Sequence, residues 1–203
     1  MSLRLVVLAL AAFLTVPTAV VIAVSFNPTA ILSFPPAGFS LRWYVNVLTY
    51  PQFQRAALNT VLVTAWAVAL ALPIGTLAAL ALERARLRGR NLWAAALLSP
   101  LVVPGVAAGL GFLILAASLG LLRSRSVLIA AHVALVLPFV VRSVWVSVRN
   151  LDPALERAAA SLGAPPWRTF RRVTLPLLRP GLFAGALFAV VVSVNEFVVS
   201  LFI

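Results

Sequence analysis

Cysteine and lysine are both absent from this chain of 203 residues, and histidine occurs once, as His132. The lack of cysteine excludes disulfides, thiolate metal sites and cysteine nucleophiles, and a single histidine excludes a metal site built on several. A P-loop of the GxxxxGK[ST] type requires a lysine on the nucleotide phosphates. If ATP is involved, another subunit therefore hydrolyses it. We expect no catalytic residue, no metal and no cofactor on this chain.

Acidic residues are also scarce, since four of them stand against sixteen basic residues, all arginine. Only 10% of the residues are charged and 63% are hydrophobic, whereas a soluble domain has about 25% charged residues. The net charge of +12 could suit nucleic acid, but the arginines stand in short breaks between long apolar runs. The composition instead predicts an all-α polytopic membrane protein with no nucleic-acid partner.

Five apolar segments are long enough for membrane helices, which need about 20 residues to cross the hydrocarbon core. They are residues 5–24, 56–82, 92–122, 126–148 and 181–203. The first is longer than the apolar part of a signal peptide, which favours an uncleaved helix. The third is too long for one straight helix, and Pro100, Pro104 and Gly105 predict a kink or partial break there.

The distribution of arginine predicts the orientation. With the N-terminus in the cytoplasm, residues 83–91 contribute four cytoplasmic arginines and residues 149–180 contribute six. Arg4 and Arg142 raise the cytoplasmic total to twelve, against four outside. We therefore expect a multi-pass protein of the bacterial inner membrane with a cytoplasmic N-terminus.

The predicted cytoplasmic segment 149–180 contains signals for two short helices. Asp152 is a suitable N-cap, Pro153 suits the first helical position, and Gly163 can end the helix in a left-handed conformation. A proline pair at 165–166 opens a second, amphipathic helix, which Leu175, Pro176 and Pro180 are expected to stop. An amphipathic helix rich in arginine could rest on anionic lipid. The glycine, the proline pair and the alanine-rich first helix favour an elbow that docks on another protein.

Residues 154–180 resemble the EAA coupling loop of the binding-protein-dependent ABC importer permeases. That pattern reads E-A-A, three residues, G, nine residues, I or V, one residue, L-P. The residues that match it are Ala158, Ala159, Gly163, Val173, Leu175 and Pro176. Arg157 stands at the first position of the pattern, and Glu156 precedes it. The resemblance implies the type I ABC importer transmembrane-domain fold, with the elbow docked on a cytoplasmic ATPase.

Shorter segments extend this resemblance over the whole chain. Residues 99–111 are similar to the third span of such permeases, and residues 34–44 and 193–197 resemble the spermidine and putrescine subgroup, in particular its second permease subunit. The resemblance implies a polyamine substrate delivered by a periplasmic binding protein. It also implies a second permease as heterodimer partner and an ATPase dimer that hydrolyses ATP with Mg. Amino acids, thiamine or iron remain alternative substrates.

Two sets of candidate site residues follow. The resemblance assigns ATPase docking to Glu156, Arg157, Ala158, Ala159, Gly163, Trp167, Leu175 and Pro176. Asn195 and Glu196 are candidates for the substrate path, because a charge deep in a span costs about 2.5–3.5 kcal/mol and should face a partner or a wet path. Glu196 could attract a cationic substrate or make a structural hydrogen bond to another helix. His132, alone on an apolar helix, is expected to be packed.

We interpret residues 1–203 as one transmembrane domain that contains a coupling elbow at 150–180. The family core usually has a sixth span, and this chain stops inside an apolar run, so we expect it to be truncated at the C-terminus. A channel that needs no ATP and an intramembrane enzyme are the competing interpretations. A channel would leave the elbow unexplained, and the four acids are placed too far apart along the chain for an enzyme.

Overall fold

The computed structural model describes residues 3–31, 33–85 and 87–203, and the regular structure within these ranges is entirely helical. Arg86, one of the arginines counted as cytoplasmic, lies outside the described residues. The chain divides into two compact units, Met1–Leu58 and Asn59–Ile203.

The first unit contains α1 (Leu3–Ser25) and α2 (Arg42–Thr49). Helix α1 has no buried residue, as expected for an apolar helix whose surface faces lipid or another protein. The Trp43 indole N–H donates to the Asn27 carbonyl at 2.9 Å, which holds α2 beside the segment that follows α1. The short helix α2 was not predicted from the sequence.

The remaining helices are α3 (Pro51–Arg84), α4 (Arg90–Leu98), α5 (Gly105–Ser118), α6 (Arg125–Arg149), α7 (Pro153–Ser161), α8 (Pro166–Thr169), α9 (Leu175–Leu177), α10 (Arg179–Asn195) and α11 (Val198–Phe202). Among the described residues, α1, α3 and α6 are each long and apolar enough to cross a membrane. Two bent helix pairs raise the number of candidate spans to five if each pair forms one span.

The predicted break in the third span is confirmed. Helix α4 runs into a 3-10 turn at Ser99–Leu101, and Pro104 is the N-cap of α5. The two halves meet at an angle of 98°. Proline has no N–H to donate and clashes with the preceding turn, so a continuous helix is disfavoured here.

The expectation of an uninterrupted fifth span was wrong. Helix α10 ends at Asn195, Glu196 is extended with ψ 96°, and α11 begins at Val198. A Glu196 carboxylate oxygen accepts the backbone N–H of Val199 at 2.8 Å. The side chain thereby competes with the helical backbone for this donor, which stabilises the break.

Small residues allow close packing in the second unit. A Cβ on Gly75 of α3 would lie 2.7 Å from a Val140 methyl group, and one on Gly185 of α10 would lie 3.3 Å from the Val140 Cα. Val140 of α6 is fully buried between these two glycines. Close backbone approach at small residues is the usual way in which membrane helices pack.

Candidate functional site

The first helix of the elbow, α7, has the predicted ends. Asp152 caps it by accepting the Ala154 N–H at 2.8 Å. At its other end Gly163 has φ +80°, its N–H donates to the Ala160 carbonyl, and the Ala164 N–H donates to the Ala159 carbonyl. This pair of bonds is a Schellman motif, which requires a left-handed residue that glycine adopts at low cost.

The second half of the elbow begins and ends where the sequence predicts. Helix α8 starts at Pro166 and continues through a π-helical turn at Phe170–Thr174 into α9. Helix α9 ends at Leu177, between Pro176 and Pro180, and the chain bends by 62° into α10, as the expected stop at Leu175, Pro176 and Pro180 requires. Pro176 has no N–H to donate to the preceding turn, and it stands just after the π-helical turn, where the regular helical bonding is already interrupted.

The turn between the two elbow helices presents an exposed apolar surface. Leu162 is 88% exposed and Trp167 is 68% exposed, and a Cβ on Gly163 would meet nothing within 4 Å. Arg157 and Ala158 are also exposed, whereas Ala159, Leu175 and Pro176 are half-buried. Leu162 was not among the predicted docking residues. Its position immediately before Gly163, at the turn of the elbow, could have indicated its exposure.

Glu156 contacts other parts of its own chain. Its Oε1 accepts a hydrogen bond from the Arg84 guanidinium at 2.8 Å and another from the Thr174 hydroxyl. Arg84 is the last residue of α3, and the Thr174 side chain is buried in the second half of the elbow. These two partners were not predicted, because each is remote from Glu156 in sequence.

A second cluster of polar groups surrounds a cavity of about 270 Å³ between α3, α6, α10 and α11. The cavity is lined by Asn59, Thr60, Val63, Leu128, His132, Ser193, Val194, Glu196, Phe197 and Ser200. Glu196 reaches this cavity because α10 is broken there. Asn195 does not line it, and its side-chain amide donates to the Val191 carbonyl at 2.8 Å. The structure thus separates the two candidates for the substrate path.

His132 links the two helical segments on either side of the break. Its Nδ1 lies 2.8 Å from the Ser193 hydroxyl of α10, and its Nε2 lies 3.1 Å from the Ser200 hydroxyl of α11. The Ser200 hydroxyl donates to the Glu196 carbonyl at 2.9 Å. A hydroxyl has one hydrogen to donate, so Ser200 must accept from His132, which makes Nε2 the protonated nitrogen.

The hydrogen-bond chain continues on the other side of the imidazole. In the neutral imidazole Nδ1 is then an acceptor, so the Ser193 hydroxyl donates to it and accepts from the Thr64 hydroxyl at 2.9 Å. His132 is buried, as the sequence led us to expect. The roles of Ser193 and Ser200 were missed, although their placement three residues before and four residues after Glu196 was a signal.

Comparison with known proteins identifies relatives over nearly the whole chain. The family described as "Binding-protein-dependent transport system inner membrane component" matches residues 71–203. The putrescine transport system permease protein PotI of Escherichia coli K12 is 34% identical over 98% of this chain and 74% of its own length. The spermidine/putrescine transport system permease protein PotC is 29% identical in E. coli K12 and 30% identical in Haemophilus influenzae, over 96% and 95% of this chain and 74% of each relative.

Proposed function

The chain belongs to the family of binding-protein-dependent transport system inner membrane components, and from this we propose that it is a permease subunit of an ATP-driven importer for a polyamine. The observation that carries the proposal is the elbow, in which two short helices meet at a left-handed glycine with exposed apolar side chains around it. Such a small, projecting surface fits into a groove on a partner protein, as helix-in-groove recognition requires.

The partner on this surface is a cytoplasmic ATPase dimer, which hydrolyses ATP with Mg while this chain binds no cofactor. The docking residues are those predicted from the sequence other than Glu156, whose carboxylate is bonded within the chain, and Leu162 is added to them. Closure of the ATPase on ATP displaces the elbow, and the spans respond by exchanging inward-open and outward-open states, each favoured by a different ligand. A second permease subunit completes the path as a heterodimer partner, with lipid around both.

The arginine asymmetry supports a cytoplasmic N-terminus in the inner membrane and a cytoplasmic elbow. In this orientation the cavity at Glu196 lies in the outer half of the membrane, where a periplasmic binding protein delivers its load. A carboxylate beside serine hydroxyls and an amide is suited to an ammonium group, which donates several hydrogen bonds and carries the opposite charge. The names of the relatives favour putrescine or spermidine as the source of that ammonium group.

Reconstitution tests the proposal. The tagged chain is expressed with its ATPase, second permease and binding protein, and purified into liposomes. We expect the ATPase to copurify and labelled putrescine or spermidine to enter the vesicles only with ATP. Uptake of polyamine without ATP would instead favour a channel. If thiamine, iron or an amino acid were taken up with ATP and polyamine were not, the substrate assignment would be refuted. The assignment as an ATP-driven importer would stand.

A further inference from the structure

One carboxylate oxygen joins the elbow to the rest of the chain. Glu156 Oε1 accepts from the Arg84 guanidinium at 2.8 Å and from the buried Thr174 hydroxyl. Glu156 itself lies on α7, Arg84 ends α3, and Thr174 belongs to the second half of the elbow. The three segments therefore meet at a single atom.

The end of α3 is held on its other side as well. Glu83, the residue beside Arg84, accepts from the Trp145 indole at 2.7 Å and from the Arg90 guanidinium at 2.5 Å. Trp145 lies near the end of α6, and Arg90 begins α4. A displacement that reaches Arg84 can therefore be transmitted to the end of α3, the start of α4 and the end of α6, which lie together.

The contact is too exposed to be explained as a stabilising feature of the fold. The side chains of Arg84 and Glu156 are 38% and 24% exposed, and ion pairs of this kind contribute little to stability. Helix α7 packs mainly on the second half of its own elbow. The ion pair is thus a directed, charge-assisted link between α7 and α3.

We propose that Glu156 is a positioning residue that fastens the elbow to the end of α3, so that a movement of the elbow by the ATPase moves the membrane helices. This inference rests on the proposed function. It assigns Glu156 a contact within the chain in place of the ATPase contact expected from the sequence. Arg157, which is exposed on the adjacent helical position, remains available to the ATPase.

The test measures how many solute molecules are transported per ATP hydrolysed in proteoliposomes, together with the amount of ATPase that copurifies. For Glu156→Ala and Arg84→Ala we expect a fall in transport per ATP of about tenfold, within the usual range of coupling between sites. Copurification of the ATPase should be unchanged. Arg88→Ala removes the same charge from the loop that follows α3, at an exposed residue, and should transport normally.

The double variant Arg84→Glu with Glu156→Arg tests whether the loss in the single variants comes from the broken ion pair or from a general defect in the protein. It restores the ion pair but not the Thr174 bond, so we expect transport per ATP to recover most of what either single variant lost. Thr174→Val should produce a smaller loss than Glu156→Ala. Loss of ATPase copurification in Glu156→Ala, or an exchange no better than the single variants, would overturn the inference. If the wild-type chain itself shows no ATP-driven uptake, the proposed function fails first.

Discussion

The imidazole Nδ1 of His132 lies 2.8 Å from the hydroxyl oxygen of Ser193, which joins α6 to the last turn of α10. The other nitrogen of the same ring contacts Ser200 on α11. One side chain therefore holds both sides of the break that exposes Glu196 to its cavity. The geometry of the candidate substrate site depends on a residue that does not itself carry the charge.

Replacing His132 by alanine should destabilise the second unit. The substitution removes the hydrogen bonds to Ser193 and Ser200, and each such bond contributes about 0.5–1.5 kcal/mol. We expect a loss of about 2 kcal/mol in the free energy of unfolding, measured by thermal unfolding in detergent. Ser118→Ala is the control, because the Ser118 hydroxyl donates to the Leu115 carbonyl of its own helix. Equal stability of the two variants would contradict the bridging role.

Replacing Glu196 by glutamine should reduce polyamine uptake. The change removes the charge and retains the size and the capacity to accept the Val199 N–H, so the break should persist. We expect uptake to fall about tenfold, equivalent to about 1.4 kcal/mol of interaction with the cation. Asn195→Ala is the matched control, since that side chain lies outside the cavity, and its uptake should stay near wild type. Unchanged uptake in Glu196→Gln would leave the carboxylate with a structural role only.

A substitution at Gly163 can test docking on the ATPase separately from backbone strain in the elbow. Gly163→Asp introduces a residue that tolerates positive φ better than most, into a position with open space around it. The few hot-spot positions near the centre of an interface each contribute about 2 kcal/mol or more. If Gly163 is one of them, ATPase affinity should fall by about tenfold or more, with transport lost and membrane insertion intact.

Gly120→Asp is the control for this variant. Gly120 has φ +67° and equally open surroundings, but lies in the loop predicted on the outer side of the membrane. It should retain ATPase binding, measured by copurification. A Gly163→Asp variant that transports normally would remove the elbow from the mechanism.

Substitution at Gly181 should test the packing of α10 on α6. An added Cβ would clash with the Ser147 side chain and would lie 2.9 Å from the Ser143 carbonyl oxygen. Overpacking of this kind costs about 1–3 kcal/mol, so Gly181→Ala should unfold at a lower temperature in detergent. Gly111→Ala, which would meet nothing within 4 Å, should unfold like the wild type. A neutral Gly181→Ala would show that the two helices separate readily.

Features that depend on neighbouring residues were predicted correctly from the sequence, whereas contacts between distant residues were not. Asp152, Pro153 and Gly163 were identified correctly, because a cap, a first helical position and a left-handed residue each depend on a few neighbouring residues. The break near Pro104 follows from the same local chemistry. By contrast, the break at Glu196 was missed. It depends on the glutamate side chain accepting the Val199 N–H, and no sequence pattern indicates such a bond.

The sequence by itself determined that this chain enters a membrane, that it builds no P-loop, and where its elbow bends, because hydrophobicity, the absence of lysine and turn chemistry act locally. Only the tertiary structure decided which polar side chains meet. Glu156 and Arg84 are separated by 72 residues, and His132 and Ser193 by 61. Such pairs form only when the right helices lie side by side with the right rotation about their axes. Small residues such as Gly75 and Gly185 help to determine this arrangement, because they let the helix backbones approach closely.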